Sequence, residues 1–249
     1  MAGNTSVPGA SVASRLLAVL SAFDENHRVM TLSDISRRTG LPLPTTYRLV
    51  AELAEWSGLV RRPTGEYVVG KRIWELGLLA PTQTGLRQTA EPFLHDVYGA
   101  TLATVHLAVR DGDQVLYLDR LAGTASVPIV SSVGSHLPLH STAVGKVLLA
   151  HAPEGLVTEV LGSLTRVTPY TVTQPGILRQ QLARVRRHGH ATTSEEMSLG
   201  ASSIAVPVLR GATVVAALGV VVPDLRGRPR LVGVLQAAAH GIGRELAQP

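Results

Sequence analysis

Two short helical segments joined by a tight turn, within residues 31–57, define the first compact unit of this chain. Thr31 is a good N-cap for a helix over Leu32–Thr39, and Gly40 follows it, at the position where a helix commonly ends in positive φ. Leu41-Pro42 makes the turn, and a second helix is predicted over residues 44–57. Its buried face is predicted to contain Tyr47, Val50, Leu53 and Ala54.

A helix before this pair and a hairpin after it complete the plan of the unit. Ser11 is placed to cap a helix whose apolar positions recur at helical spacing: Val12, Leu16, Val19, Leu20 and Phe23. After the pair, two alternating β segments, residues 59–62 and 66–69, flank the turn Pro63-Thr64-Gly65. This order is typical of a winged helix-turn-helix domain, which we place at residues 11–70.

This plan predicts which side chains meet double-stranded DNA. The first turn of the second helix faces base edges, and arginines at the end of the preceding helix and in the wing are placed for phosphate contacts. The candidate DNA-binding residues are Arg37, Arg38, Pro44, Thr45, Thr46, Tyr47, Arg48, Arg61 and Arg62. The alternative is a set of ordinary solvated arginines, because ten Lys/Arg against seven Asp/Glu leave residues 1–88 with a net charge of only +3.

Length and composition favour two folded domains. The chain has 249 residues, of which 45% are hydrophobic and 16% are charged, and its net charge is +5. The sequence has no cysteine, which excludes disulfides, thiolate metal sites and cysteine nucleophiles. Residues 1–10 are predicted to be a disordered arm, and no apolar run is long enough for a membrane span. We therefore expect a cytoplasmic protein with no membrane contact.

Beyond the wing the pattern changes. Residues 71–88 are predicted to be a linker helix, helical to about residue 86, which Pro81 should kink or split. Residues 89–249 are predicted to form one α/β or α+β domain, with a loop at residues 134–138. Its predicted strands cover residues 103–109, 115–119, 126–130, 190–193, 203–209 and 214–222, and its predicted helices cover residues 91–99, 141–150, 153–161, 175–188 and 231–247.

Segments spread over residues 12–246 carry a family resemblance. They are SVASRLLAVLSAF, LSDISRRTGLPLPTTYRLVAEL, GEYVVGKRIWELG, VHLAVRDGDQVLYLDRL, VGSHLPLHSTAVGKVLLA, SEEMSLGASSIAVPV and VVAALGVVVP. Each segment is weak evidence alone, but their order and spacing together are specific. The sequence resembles the IclR-type bacterial transcription regulators over nearly its whole length.

The resemblance implies an α+β fold, with a winged helix-turn-helix, a linker helix and a C-terminal α/β sensor domain built on a curved antiparallel sheet. It implies a regulator without cofactors that binds operator DNA as a homodimer, often paired into a tetramer, under the control of a small organic acid. The effector-binding residues that it implies are Ile129, Leu137, Ala143, Val144, Thr193, Ala201, Ser203, Gly219 and Val221.

Two of these positions depart from the pattern of relatives that bind small oxo acids. Such relatives tend to carry serines where Gly219 and Val221 stand here, so this pocket lacks two hydroxyl donors. That difference favours an effector with a larger apolar body, such as an aromatic or branched carboxylic acid, over glyoxylate or pyruvate.

The residues themselves also suggest a carboxylate site. Ser141 and Thr142 open a predicted helix whose first amide groups would favour an anion, and Ala143 and Gly145 allow a ligand to approach the backbone closely. The alternative is plain helix capping, since Ser and Thr are common N-caps.

Other readings are weaker. Gly145-Lys146 lacks the flanking residues of a phosphate-binding P-loop. The histidines at 136, 140 and 151 lack the cysteine or nearby carboxylate that would complete a metal site. A hydrolase would use Glu195-Glu196 with Ser203 or Ser141, but adjacent side chains need not share a site, and no G-x-S-x-G elbow is present. We expect neither a metal nor an enzyme. A purely structural or protein-interaction module is a third alternative.

Overall fold

The computed structural model describes residues 11–24, 27–79, 84–122, 127 and 130–248. Contacts between residues divide the chain into two compact units, Met1–Thr82 and Gln83–Pro249. The predicted disordered arm and Pro81 lie outside the described residues. Among the helices that are described, none has the length and apolar composition needed to cross a bilayer.

The N-terminal unit has its helices and hairpin in the predicted order. They are α1 (Val12–Ser21), α2 (Leu32–Thr39), α3 (Leu43–Glu55), β1 (Leu59–Arg61) and β2 (Tyr67–Val69). Ser11 caps α1, and Thr31 forms a capping box with Asp34 at the start of α2. Gly40 ends α2 with a φ of 68°. The predicted helix-turn-helix is therefore confirmed, with bounds that differ by at most two residues.

The core of this unit joins the helices to the wing. Val19, Ile35 and Val50, one from each helix, are fully buried, and Leu59 of β1 packs into the same cluster. The backbones of Met30 and Tyr67 exchange two hydrogen bonds, of 3.0 and 2.7 Å. The wing is thereby fixed to the segment that precedes α2.

The predicted buried face of α3 was wrong by one position. Val50 and Leu53 are buried as predicted, but Tyr47 is 57% exposed and Thr46 is fully buried in its place. Helical spacing explains the difference, because positions 46, 50 and 53 lie on one face, and position 47 lies about 100° further round.

The segment predicted as a linker helix that Pro81 kinks or splits contributes to two helices. Helix α4 covers Lys71–Leu78, and α5 covers Thr84–Thr101. The end of the helix predicted at 71–86 and the whole helix predicted at 91–99 therefore belong to one helix, α5. Leu86, Ala90 and Leu94 all pack in the core of the C-terminal unit. Pro92 lies inside α5, where it removes one backbone donor and its ring crowds the carbonyl four residues earlier, so these buried contacts stabilise the helix across it.

The C-terminal unit is built on an antiparallel sheet. Its strands are β3 (Thr104–Asp111), β4 (Gln114–Leu121), β5 (His136–Pro138), β6 (Ala191–Ser194), β7 (Ser202–Arg210) and β8 (Thr213–Val222). They pair in the order β5-β4-β3-β8-β7-β6, which confirms the predicted curved antiparallel sheet. The loop predicted over residues 134–138 was partly wrong, since β5 pairs with β4. The predicted strand at 126–130 falls mostly outside the described residues.

Helices cover both faces of this sheet. They are α6 (Ala143–Ala150), α7 (Glu154–Gly162), α8 (Pro175–His188) and α9 (Arg228–Glu245), together with α5. Strand alternation separates two cores: Leu107, Ile204 and Leu218 face α5 and α9, whereas Ala108 and Ala217 face α6, α7 and α8. The second face also carries the cavity described below.

Candidate functional site

The first turns of α3 present an exposed surface. Pro44, Tyr47 and Arg48 are exposed and Thr45 is half-buried, so these four predicted DNA-binding residues are accessible on one element. Thr46 is not accessible: its Oγ1 donates to the carbonyl oxygens of Leu41 and Pro42, at 3.3 and 3.2 Å. Its prediction as a base-facing residue was wrong, because its hydroxyl secures the turn before α3.

The arginines of α2 differ from each other. Arg37 is exposed and forms an ion pair with Asp34. Arg38 is tied to the end of α1, since its Nε donates to the carbonyl of Ala22 at 2.9 Å and its Nη2 to Asp24 at 2.6 Å. These bonds commit the guanidinium of Arg38 to the fold and disfavour the phosphate contact predicted for it.

The wing carries the other two predicted arginines. Arg61 and Arg62 are both exposed at the end of β1. The guanidinium of Arg61 lies 6.0 Å from the ring centre of Tyr67, a cation–π distance that orients it across the hairpin. Gly65, with a φ of 91°, closes the turn. The wing thus presents two cations from a short, well-defined hairpin.

A cavity opens on the sheet face that α6 covers. The structure brings together around it eight of the nine residues proposed for effector binding. They are Leu137, Ala143, Val144, Thr193, Ala201, Ser203, Gly219 and Val221. The ninth, Ile129, lies outside the described residues.

Other lining residues were missed by the sequence analysis. The chemically important ones are His106 of β3 and Tyr117 of β4, and the loop after β6 adds Met197 and Ser198. A signal for the first two was present. His106 and Tyr117 alternate along their predicted strands with residues of the opposite core, so both face the cavity side.

His106 is a neutral hydrogen-bonding group in this cavity. Its ring is almost fully buried, and burial, followed by the charge of Arg120, lowers its pKa from 6.5 to about 3. Its Nε2 lies 3.0 Å from Ser131 Oγ, and its ring packs edge-on against Tyr117 at 4.9 Å between centroids. Burial also raises the pKa of the Tyr117 hydroxyl. Both groups therefore stay uncharged at neutral pH.

Hydroxyls and a glycine shape the opposite wall. Thr193 Oγ1 and Ser203 Oγ form a hydrogen bond of 2.6 Å between β6 and β7. At Gly219 an added Cβ would lie 3.0 Å from both Ile204 O and Val144 Cγ1. A side chain at position 219 would therefore displace its neighbours, and the glycine keeps this part of the cavity open.

The start of α6 supplies the polar backbone of the cavity. Thr142 Oγ1 accepts the amide of Gly145 at 3.0 Å, which confirms the capping role for this threonine. Ser141 is fully buried and donates to Met197 Sδ. The first-turn amides of a helix have no intrahelical partner, and those of Ala143 and Val144 belong to residues that line the cavity.

The two adjacent glutamates do not share a site. Glu195 accepts the amide of Gly200 at 2.7 Å, whereas Glu196 is buried and lies 2.5 Å from Lys146 Nζ of α6. Burial lowers the pKa of Lys146, and the carboxylate of Glu196 acts in the opposite direction. The pair fixes the loop that carries Met197 and Ser198 against α6. Within the part of the chain that is described, no three His, Cys, Asp or Glu residues group as a metal site.

Two family descriptions match this chain. The C-terminal domain of the bacterial transcriptional regulator IclR matches residues 79–244, and the IclR helix-turn-helix domain matches residues 12–63. The chain belongs to the IclR family. The resemblance drawn from the sequence is thus confirmed, as is the prediction that this DNA-binding transcription regulator is not an enzyme.

Individual relatives agree with this IclR assignment. The regulator XynR of Escherichia coli is 32% identical over 78% of each chain, and the repressor AllR of Salmonella typhi is 30% identical over 89% of this chain and 83% of its own. A solved IclR homolog from Microbacterium hydrocarbonoxydans, complexed with 4-hydroxybenzoate, is 36% identical and has a TM-score of 0.91. That match covers 95% of this chain and 99% of the homolog.

Proposed function

We propose that this IclR-type regulator binds operator DNA with an affinity set by an aromatic carboxylic acid in the cavity of its C-terminal unit. The observation that carries the proposal is the cavity lining, which combines apolar walls, a neutral imidazole and the first turn of a helix. The complex of its Microbacterium relative with 4-hydroxybenzoate supports the same ligand class.

Each part of such an acid has a matching group. The carboxylate would accept the amides of Ala143 and Val144, where the helix dipole favours an anion. Leu137 and Val221 offer apolar contacts to a ring. A phenolic hydroxyl would bond to a neutral partner such as His106, at no cost of desolvating a charge. Glyoxylate and pyruvate leave the apolar walls unfilled.

Calorimetric titration and thermal shift test this ligand class. We expect 4-hydroxybenzoate to bind and stabilise the protein, by about 2.7 kcal/mol at a hundred times its Kd. We expect 4-hydroxybenzamide, which lacks the charge, to bind much more weakly. Stabilisation by pyruvate or glyoxylate alone would refute the proposal.

A cavity variant separates ligand binding from folding. Ser203→Leu should abolish the response to 4-hydroxybenzoate and leave operator binding intact, because Ser203 lies in the cavity wall. Ser163→Leu, at the exposed end of α7, is the matched control. If the Ser203 variant lost DNA binding as well, its defect would be misfolding.

For DNA we propose that α3 enters the major groove with Thr45, Tyr47 and Arg48 toward base edges, and that Arg61 and Arg62 contact phosphates. Arg48→Ala should weaken operator binding by about 1–3 kcal/mol and relax sequence preference, whereas Arg61→Ala should weaken all sequences alike. Fluorescence anisotropy on operator and scrambled duplexes measures both. Unchanged operator affinity in Arg48→Ala would show that α3 is placed wrongly.

We further propose a homodimer that places two copies of α3 in successive major grooves, with pairing of dimers on longer operators. Repression is the mode we propose, since AllR is a repressor. Sedimentation of the protein with and without operator DNA tests the assembly. A monomer bound to a single half-site would contradict it.

A further inference from the structure

A second pocket lies in the C-terminal unit and shares no lining residue with the first. It is an open groove between α6, α8, the start of β6 and the first residue of α9, and Arg184, His188 and Arg228 are exposed to solvent there. Its lining includes the basic side chains Lys146, Arg184, His188, His190 and Arg228, and no acidic residue among those described. None of these residues was a binding candidate from the sequence.

Among the described residues, the two arginines of this groove have no acidic partner. Glu196 neutralises Lys146 from behind, at 2.5 Å. In the described part of the chain, neither Arg184 nor Arg228 forms an ion pair. Burial lowers the pKa of Lys146, and the charge of Arg184 acts in the same direction.

One lining residue of the groove also carries a buried acceptor. Gln181 lines the groove from α8, one turn before Arg184, and its Oε1 is buried without a hydrogen-bond partner. Buried polar atoms are normally paired, so this acceptor has room for one hydrogen-bond donor in addition to the anion that the arginines favour.

We propose that this groove binds a small phosphate ester of the sugar phosphate type. Two guanidinium groups match the oxygens of one phosphate, through charge-assisted hydrogen bonds. A sugar hydroxyl, or a protonated phosphate oxygen, donates to Gln181, which an ionised carboxylate alone cannot do. The groove leaves space for an organic body beside the phosphate.

Calorimetric titration of the full chain at constant ionic strength tests this site with ribose 5-phosphate, inorganic phosphate and ribose as probes. We expect ribose 5-phosphate to bind more tightly than inorganic phosphate, and ribose not to bind. Arg184→Ala and Arg228→Ala should each weaken ribose 5-phosphate binding at least tenfold. Arg187→Ala, on the same helix but outside the groove, should leave it unchanged.

These outcomes distinguish a specific phosphate-ester site from non-specific attraction of anions to a basic surface. An equal loss in all three arginine variants, or equal affinity for ribose 5-phosphate and inorganic phosphate, would overturn the proposal, as would no binding by the wild type. Titration of 4-hydroxybenzoate into the same samples keeps this result independent of the effector cavity, because the groove and that cavity have separate linings.

Discussion

The titration of His106 gives a quantitative test of the cavity. The pKa of this imidazole is about 3 in the folded protein and about 6.5 when it is free in solution. The unfolded chain therefore binds its proton more readily, and stability must fall as the pH drops below 6.5, until it levels off below pH 3. At 1.36 kcal/mol per pKa unit, the free energy of unfolding falls by about 2 kcal/mol between pH 8 and pH 5.

Urea unfolding at a series of pH values measures this loss. Far-UV circular dichroism follows mainly the larger C-terminal unit, whereas the two tryptophans, Trp56 and Trp74, report the N-terminal unit. In His106→Gln, the stability measured by circular dichroism should lose about 2 kcal/mol of its change between pH 8 and pH 5. The stability measured by tryptophan fluorescence should depend on pH as in the wild type. His95→Gln, at an exposed position of α5, is the control. Parallel stability curves for wild type and His106→Gln would refute the reasoning.

Three further substitutions test contacts within the units. Lys146→Met should lower the free energy of unfolding by about 3–5 kcal/mol, because it leaves Glu196 buried and unpaired. In a double-mutant cycle, Lys146→Met/Glu196→Leu should recover most of that loss, and additive losses would contradict the pairing. Thr46→Val should lower stability by about 1 kcal/mol in urea unfolding without changing operator affinity, and a loss of affinity alone would restore the base-facing assignment. Gly145→Ala should lower the free energy of unfolding by about 1–3 kcal/mol and weaken 4-hydroxybenzoate binding, because the added Cβ would clash with the carbonyl oxygen of Leu139. A thermal midpoint equal to that of the wild type would show that the clash relaxes freely.

Elements with clear end signals were predictable from the sequence. Helix α8 matches its predicted bounds, because Pro175 is favoured in a first turn and Gly189 takes the left-handed conformation at the end. The N-cap Thr31 and the left-handed Gly40 marked the ends of α2 in the same way. A helix start favours proline or a capping hydroxyl, and a left-handed helix end favours glycine. These residue types mark the ends of a helix without any knowledge of tertiary contacts.

The errors arose where tertiary packing decides. Tyr47 was assigned to the core for its apolar ring, but the phase of α3 is set by Val50 and Leu53, and it turns Thr46 inward. Lys146 is buried because Glu196, fifty residues later, pairs with it across the fold. Local sequence patterns do not contain that pairing. The positions of the effector cavity came from the family resemblance, which carries tertiary information, whereas the signal for His106 was the alternation along its predicted strand.

The affinity of the protein for its operator, measured by anisotropy with and without saturating 4-hydroxybenzoate, tests the central claim most directly. We predict a change in operator affinity of about 5- to 150-fold, the range of a coupling free energy of about 1–3 kcal/mol, and no such change in Ser203→Leu. Wild-type protein that binds the acid and the operator with no change in either affinity would contradict it.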